Sequence, residues 1–203
     1  MIASVNRGER ARSDILEAAE RLIAERGIAV PLRDIALAAG QRNNSAVNYH
    51  FRNRQDLIDA IVRRRLAPME QERAQMIAAL DHDARDDVSA WLRIMVLPFT
   101  AVGSVYYARF LQAASLHLRA DVGESQGSVW PQVLARLAHA IPTDDRRARA
   151  RRVKAIATTM FALLAEREGS AQAGADAGSA EEIIAMLAAM LTAPVPADTS
   201  LPG

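Results

Sequence analysis

The chain has 203 residues, is 50% hydrophobic and 24% charged, and carries a formal net charge of +1, so it is too apolar to be disordered and fits one or two small domains. It contains no cysteine, which excludes disulfides, thiolate nucleophiles and cysteine-based zinc sites. Four histidines without metal-ligand spacing and the lack of a long apolar stretch predict a cytoplasmic protein with no metal, no cofactor and no membrane segment.

Apolar residues at helical spacing predict four helices in the first third of the chain. Gly27 and Gly40 end the first two helices, and Pro31 suits the first turn of the second. Asn53 can cap the fourth helix, with Asp56 three residues on as in a capping box. The predicted bounds are 10–26, 31–39, 43–51 and 53 to at least 66.

The remainder also follows a helical period, with no alternating stretch that would indicate a strand. Further helices are predicted over 68–80, 87–99, 104–119, 126–140, 144–168 and 180–192. The glycine-rich residues 169–178 predict a flexible loop, and the proline-rich residues 194–203 a disordered tail. The expected fold class is therefore all-α.

Positive charge is concentrated at the start of the chain. Residues 1–67 contain twelve basic and eight acidic side chains, whereas the remainder contains thirteen and sixteen. This asymmetry suggests that the first third meets a polyanion, although exposed arginines are more often simply solvated.

Two short helices joined by a glycine-containing turn, between two longer helices, predict a helix-turn-helix unit. The second short helix of such a unit enters the DNA major groove and presents its first residues to base edges. Here the presented side chains are almost all hydrogen-bonding: Gln41, Arg42, Asn43, Asn44, Ser45 and Asn48. The alternative is an ordinary polar loop. Tyr49 and His50 could donate to phosphates or pack inward, whereas Phe51 is expected in the core.

This part of the chain resembles the TetR family of bacterial transcription regulators. The resemblance rests on Ile15-Leu16-Glu17-Ala18-Ala19, Leu22, Gly27, Asp34-Ile35-Ala36, Ala39-Gly40, Ala46-Val47-Asn48-Tyr49-His50-Phe51, Arg54 and Leu57. It implies a homodimer whose N-terminal domains dock in major grooves of double-stranded DNA, with a larger helical domain that binds an effector and forms the dimer contact. The implied division is 1–52 for DNA binding, 53–193 for effector binding and dimerisation, and 194–203 for the tail.

The resemblance also implies roles for individual residues. Asn43, Asn44, Ser45 and Asn48 would read bases or nearby phosphates. Tyr49, His50 and Arg54 would clamp the DNA backbone, and Arg33 would be a further phosphate contact. Two departures affect this assignment: the turn after Gly40 is one residue longer than usual, and Asn48 stands where a tyrosine is common.

Most aromatic residues lie beyond the helix-turn-helix, together with methionines and a histidine. Such side chains can line a mostly apolar ligand cavity, or they can simply fill the core of the bundle. The predicted effector pocket consists of Trp91, Met95, Phe99, Tyr106, Phe110, His117, Trp130, Met160 and Phe161.

The last two long helices carry wide apolar stripes that need a partner. By resemblance the partner is the same pair of helices from a second copy; the alternative is packing within one chain. The predicted interface residues are Ile156, Met160, Leu163, Leu164, Ile183, Ile184, Leu187 and Leu191.

These observations predict a ligand-responsive transcription regulator, expected to be a repressor released from its operator by a small, mostly apolar or aromatic effector. The alternative is a helical protein–protein adaptor that binds no specific DNA. We expect no enzymatic activity, because no nucleophile or convergent acid/base pair is visible, and the closest cluster, 81–83, lies in a polar turn.

Overall fold

The structure is a computed structural model that describes residues 2–42, 45–118 and 128–194, with side chains from residue 7 onward. Within these ranges the chain forms nine α-helices and no β-strand. The helices are α1 (Ile2–Arg26), α2 (Leu32–Ala38), α3 (Ser45–His50), α4 (Arg54–Ala78), α5 (Val88–Thr100), α6 (Tyr107–Ala113), α7 (Trp130–Ala140), α8 (Arg146–Gln172) and α9 (Ala180–Thr192). The predicted all-α fold, with an N-terminal helix-turn-helix followed by a larger helical part, is confirmed.

The predicted break at Pro68 is wrong, because α4 runs through it without interruption. Proline in a helix interior removes a hydrogen bond and costs about 3 kcal/mol, so neighbouring contacts must hold the helix together. They do so on the turn that follows, where Met69, Glu70 and Arg73 are all buried.

Several helix ends also differ from the sequence prediction. α1 begins at Ile2 rather than Arg10, and α8 continues past Gly169 to Gln172. The segment predicted as one helix over 104–119 contains α6 and a separate 3₁₀ turn at Ser115–His117. α7 begins at Trp130 rather than at residue 126. Residues 119–127 and 195–203, which include most of the predicted tail, lie outside the described residues.

The first of two hydrophobic cores joins the helix-turn-helix to α4 and α6. Ile15, Leu22 and Ile23 of α1 pack there with Val47 of α3. α4 and α6 contribute the remaining large buried side chains, among them Leu57, Ile58, Ile61, Tyr107 and Phe110. Because α6 lies in this core, the helix-turn-helix unit is packed directly against the rest of the described chain.

The second core lies among α5, α7, α8 and α9. Its members include Leu92, Met95, Val133, Leu137, Ile156, Met160, Ile184 and Leu187. Phe99 and Phe161 pack against both cores, and α6 contacts both α1 and α8. α4 and α6 are therefore the elements through which the second core can act on the first.

Candidate nucleic-acid interface and ligand region

Burial of one side of α3 turns its other side to solvent. Val47 is 1% exposed and Phe51 3%, and both lie in the first core. The turn before α3 starts from a Schellman end to α2, in which the Gln41 N–H donates to the Ala36 carbonyl and Gly40 has a φ of +70°. These contacts fix which face of α3 is outward.

The outward face carries side chains that the sequence analysis assigned to DNA. Asn48 and Ser45 are exposed on α3, Tyr49 is 84% exposed, and Arg42 and Arg33 are exposed on the preceding turn and α2. An aromatic side chain this exposed contributes nothing to the core, which favours an external partner. Asn43 and Asn44 lie outside the described residues.

Two side chains that were predicted to contact DNA already form hydrogen bonds within the chain. The Gln41 side-chain amide donates to the Ala39 carbonyl at 3.2 Å. Arg54 is partly buried and donates from Nη1 to the Ile28 carbonyl at 2.7 Å, which ties the start of α4 to the loop after α1. The structure thus gives Arg54 a positioning role within the domain.

Two arginines that the sequence analysis missed lie beside the end of α3. The Arg12 guanidinium of α1 lies 5.2 Å from the centroid of the Phe51 ring, and the Arg52 side chain is 87% exposed. Arg52 also donates from Nε to Asp56 at 3.5 Å. Arg12 could not be assigned from sequence, because it is 39 positions away from Phe51 and only folding brings them together.

His50 lies between these arginines and the core. Partial burial, and then the positive charge of Arg12, hold the pKa of His50 below its ordinary value. The imidazole is therefore neutral at pH 7, with one nitrogen that donates and one that accepts. The positive charge at the end of α3 therefore comes from Arg12 and Arg52.

α3 is therefore a short helix with an outward polar face. Its inner face packs in the first core, and arginines lie beside its end. The profile of the bacterial regulatory proteins of the tetR family matches residues 15–61, which is this unit. Residues 15–61 are therefore similar to the DNA-binding domain of the TetR family. The solved structure of NalD, the secondary repressor of the MexAB-OprM multidrug efflux pump in Pseudomonas aeruginosa, aligns with 91% of this chain and 97% of its own, at 20% identity and a TM-score of 0.47. No curated protein sequence matches the chain.

Beyond residues 15–61, the nine predicted pocket residues are divided among the two cores, the 3₁₀ turn and two cavities. Trp91, Met95, Phe110 and Met160 are at most 2% exposed and belong to the two cores. His117 lies on the 3₁₀ turn, where its carbonyl accepts from the Gln55 amide of α4 at 2.8 Å. Of the predicted set, Phe99 and Tyr106 each line one of the two cavities described below.

A buried ion pair occupies the centre of the region in which the pocket was predicted. Arg73 is 1% exposed and donates to Glu70 at 2.7 Å, and its guanidinium lies 4.7 Å from the Trp130 ring centroid and 5.6 Å from that of Phe99. Glu70 also accepts from the backbone N–H groups of Val129 and Trp130. The rings of Trp130 and Phe99 therefore both pack on the Arg73 cation.

Two cavities adjoin the loop between α5 and α6. The larger, about 750 Å³, opens between α1, α2, α4 and residues 103–106, and six of its thirteen lining residues are charged. The smaller, about 240 Å³, lies between the end of α5, the first turn of α6 and the C-terminal part of α8. Ser104 and Val105 line both, so this loop separates them.

At the wall of the larger cavity a buried carboxylate joins α1 to α4. Glu20 is 2% exposed and accepts from Arg65 Nε at 2.8 Å and from Nη2 at 3.2 Å. The Ser104 hydroxyl donates to the same carboxylate, and Arg65 Nη1 donates to the Val102 carbonyl at 3.3 Å. One ionic group therefore links the DNA-binding helices to the loop between the cavities.

Seven of the eight side chains predicted at the dimer contact are already buried within a single chain. Ile156, Met160, Leu164, Ile183, Ile184, Leu187 and Leu191 are each at most 4% exposed within a single chain. They pack in the second core, mainly because α5 covers α9 and α6 and α7 cover α8. Of the set, Leu163 alone is partly exposed in the single chain.

No helix in the described ranges is long and apolar enough to cross a membrane. Among the same residues, no group of three or more histidine and acidic side chains is arranged to hold a metal ion.

Proposed function

We propose that this protein is a transcription repressor that binds operator DNA as a homodimer and leaves it when a small effector binds its helical domain. The observation that carries the proposal is the outward face of α3 within a domain similar to that of the TetR family. Its exposed polar side chains Asn48 and Tyr49 have no role in the core, and Arg42, Arg12 and Arg52 flank them. Amide side chains that reach the major groove can pair with adenine, and arginines can bind guanine or phosphate.

The proposed residue roles combine this geometry with the resemblance to the family. Asn43, Asn44, Ser45 and Asn48 are proposed to face bases or nearby phosphates, and Tyr49, His50 and Arg33 to contact phosphates. Arg12 and Arg52 join the phosphate contacts, while Arg54 acts by holding α4 against the loop at Ile28.

The direct test is fluorescence anisotropy with a labelled duplex from upstream of the protein's own gene, against a scrambled duplex, at several salt concentrations. We expect preferential binding to the upstream duplex with a steep salt dependence. Asn48→Ala should reduce the preference, by about 1–3 kcal/mol if the amide pairs with a base. Arg42→Gln should lower the salt slope by about one for each lost phosphate contact.

Arg151→Gln is the matched control, because Arg151 is exposed on α8, remote from α3. It should change neither the preference nor the slope. Equal, weak binding of wild type to both duplexes would instead favour an adaptor that reads no sequence.

The proposed dimer uses the faces of α8 and α9 that the chain leaves open. Ala155 and Thr158 on α8 and Ala185, Met186 and Ala189 on α9 are exposed, and Met186 is 45% exposed. Thr159 Oγ lies 3.7 Å from Met190 Sδ, so the two faces are adjacent. Small side chains of this kind allow the helices of two copies to approach closely and form a four-helix interface about a twofold axis.

Analytical ultracentrifugation tests this surface. Met186→Glu should shift the protein toward monomer with unchanged helical circular dichroism. Leu116→Glu, a change at a 95% exposed leucine on the 3₁₀ turn, should leave the dimer intact. A Met186→Glu protein that remained fully dimeric would place the interface elsewhere.

A further inference from the structure

The smaller of the two cavities, named here the α6–α8 cavity, has an apolar wall and a polar wall. The apolar wall is formed by Phe99, Val105, Ala108, Leu164 and Ala171. Its volume of about 240 Å³ is room for about eight groups of the size of a water molecule. Ligand pockets for drug-sized molecules are larger, typically about 300–1,000 Å³, so an occupant of this one must be small.

Nearly every hydrogen-bonding side chain of the polar wall is committed to the protein itself. Thr100 Oγ1 donates to the Leu97 carbonyl, and the Gln172 amide donates to the Val105 carbonyl and accepts from Arg109. The Ser104 hydroxyl donates to Glu20. These groups have little capacity left for a ligand.

Glu168 is committed as well. Its two carboxylate oxygens accept from the backbone N–H groups of Ala108, at 2.9 Å, and Arg109, at 3.0 Å, in the first turn of α6. Burial raises the pKa of Glu168, although these two hydrogen bonds oppose the shift. The Glu168 carboxylate therefore binds the N-terminal turn of α6, and it forms no ion pair with Arg167.

Arg167 is the exception on the polar wall. Its Nε is buried and has no hydrogen-bond partner, and no ion pair involves this arginine in the described part of the chain. A buried donor without a partner is unfavourable, and a guanidinium remains charged at any physiological pH. A carboxylate is the group whose geometry matches the planar guanidinium.

We infer that the α6–α8 cavity is the effector site of the proposed repressor, and that its effector is a small organic acid whose carboxylate binds Arg167 and whose apolar or aromatic body packs on Phe99 and Leu164. This inference rests on the proposed function, because the acid is an effector only if the protein is a repressor. The binding of the acid to Arg167 can nevertheless be measured without DNA.

The position of the cavity gives the acid a route to the DNA-binding helices. Ser104 and Val105 form its wall, and the Ser104 hydroxyl is bonded to Glu20 of α1, which also binds Arg65 of α4. An occupant that displaces this loop changes the ionic contact between α1 and α4. A coupling of this kind typically changes the affinity at the second site by about 5- to 150-fold.

Isothermal titration calorimetry of the full chain with benzoate and with benzamide tests the inference, because the two compounds have nearly the same shape and only benzoate is charged. We expect wild type to bind benzoate at least about tenfold more tightly than benzamide, since a hydrogen bond to a charged group is worth about 1.5–3 kcal/mol. Arg167→Gln should abolish that preference. It should leave the melting temperature nearly unchanged, because Arg167 forms no hydrogen bond or ion pair in the described part of the chain.

Two further variants make the result specific. Arg151→Gln, on the exposed face of the same helix, should keep the preference for benzoate. Ala171→Trp retains Arg167 but fills the cavity from an exposed position, and it should weaken the binding of both compounds.

Wild type that binds neither compound, or binds both equally, overturns the inference. So does an Arg167→Gln protein that still prefers benzoate. The DNA assay separates this failure from failure of the proposed function: operator binding without benzoate binding removes only the acid site, whereas benzoate binding without operator binding removes only the repressor. With both intact, benzoate should release the duplex from wild type and not from Arg167→Gln.

Discussion

The two halves of α4 are held by ion pairs of different construction. In the first half Arg65 reaches across to Glu20 of α1, 45 residues away in sequence. In the second half Arg73 binds Glu70 one turn away on α4 itself, and the pair is nearly inaccessible to solvent. The first pair therefore stabilises the packing of α1 on α4, whereas the second neutralises a cation that is packed between aromatic rings.

The comparison indicates that the burial of the charges, and not the mere presence of an ion pair, determines how much stability each half of α4 loses when a charge is removed. Removing one partner of a buried pair leaves an uncompensated charge, which costs far more than the pair contributes. Arg65 is 15% exposed and retains a bond to the Val102 carbonyl, so its charge is less isolated. The two halves should respond unequally to the same chemical change.

Glu70→Gln should cause the largest loss, about 3–5 kcal/mol in the free energy of unfolding, because it leaves Arg73 charged and buried. Urea unfolding followed by circular dichroism measures it. Glu72→Gln, two residues on along α4, is the matched control and should cost below about 1 kcal/mol. A loss no greater than that of the control would mean that the rings of Trp130 and Phe99 alone stabilise the cation.

Glu20→Gln should have an intermediate effect of about 1–3 kcal/mol, because Arg65 loses its carboxylate partner and one of its two acceptors on residue 20, while the amide oxygen can still accept from the Ser104 hydroxyl. The same urea experiment applies. Glu17→Gln is the control, since Glu17 forms an exposed pair with Arg64 that is worth about 0–1 kcal/mol. Equal losses in the two variants would contradict the role assigned to burial.

Two glycines should respond with opposite signs. Gly40→Ala, at a φ of +70° where α2 ends, should destabilise by about 1 kcal/mol. Gly169→Ala, inside α8 with no neighbouring atom near an added Cβ, should stabilise by about 0.5–1 kcal/mol. Thermal unfolding of the two proteins should bracket that of wild type. Two shifts in the same direction would show that one of these backbone conformations is misassigned.

The smallest expected effect is a pH dependence at Glu168. Its folded-state pKa is raised by burial, so the folded state binds the proton more tightly than the unfolded state does. Stability should fall as the pH rises from the ordinary glutamate pKa to the raised one, and the loss should persist above that window. The difference in unfolding free energy between wild type and Glu168→Gln, measured from pH 4 to pH 7, should decrease accordingly.

Glu166→Gln gives the reference for that titration, because Glu166 is exposed on the same helix. Its difference from wild type should remain flat over the same pH range. A rising difference for Glu168→Gln would mean that the backbone donors of Ala108 and Arg109 outweigh burial.

Much of the fold follows from the sequence because its causes are local. Helical periodicity, the stop at Gly40 and the Asn53 cap, which accepts from the Asp56 N–H at 2.9 Å, depend on residues within one or two turns of each other. The polar outward face of α3 is of the same kind, since Val47 and Phe51 had to face inward.

Only the tertiary structure decided which apolar stripes are interior and which polar groups meet. The stripes of α8 and α9 are equally consistent with a second copy or with their own chain, and α5, α6 and α7 determined that they are covered within the chain. α4 passes through Pro68 because long-range packing outweighs the local cost. The pairing of Arg65 with Glu20, the place of Arg12 beside Phe51 and the unpartnered Arg167 join residues far apart along the chain, and sequence periodicity carries no information about such distances.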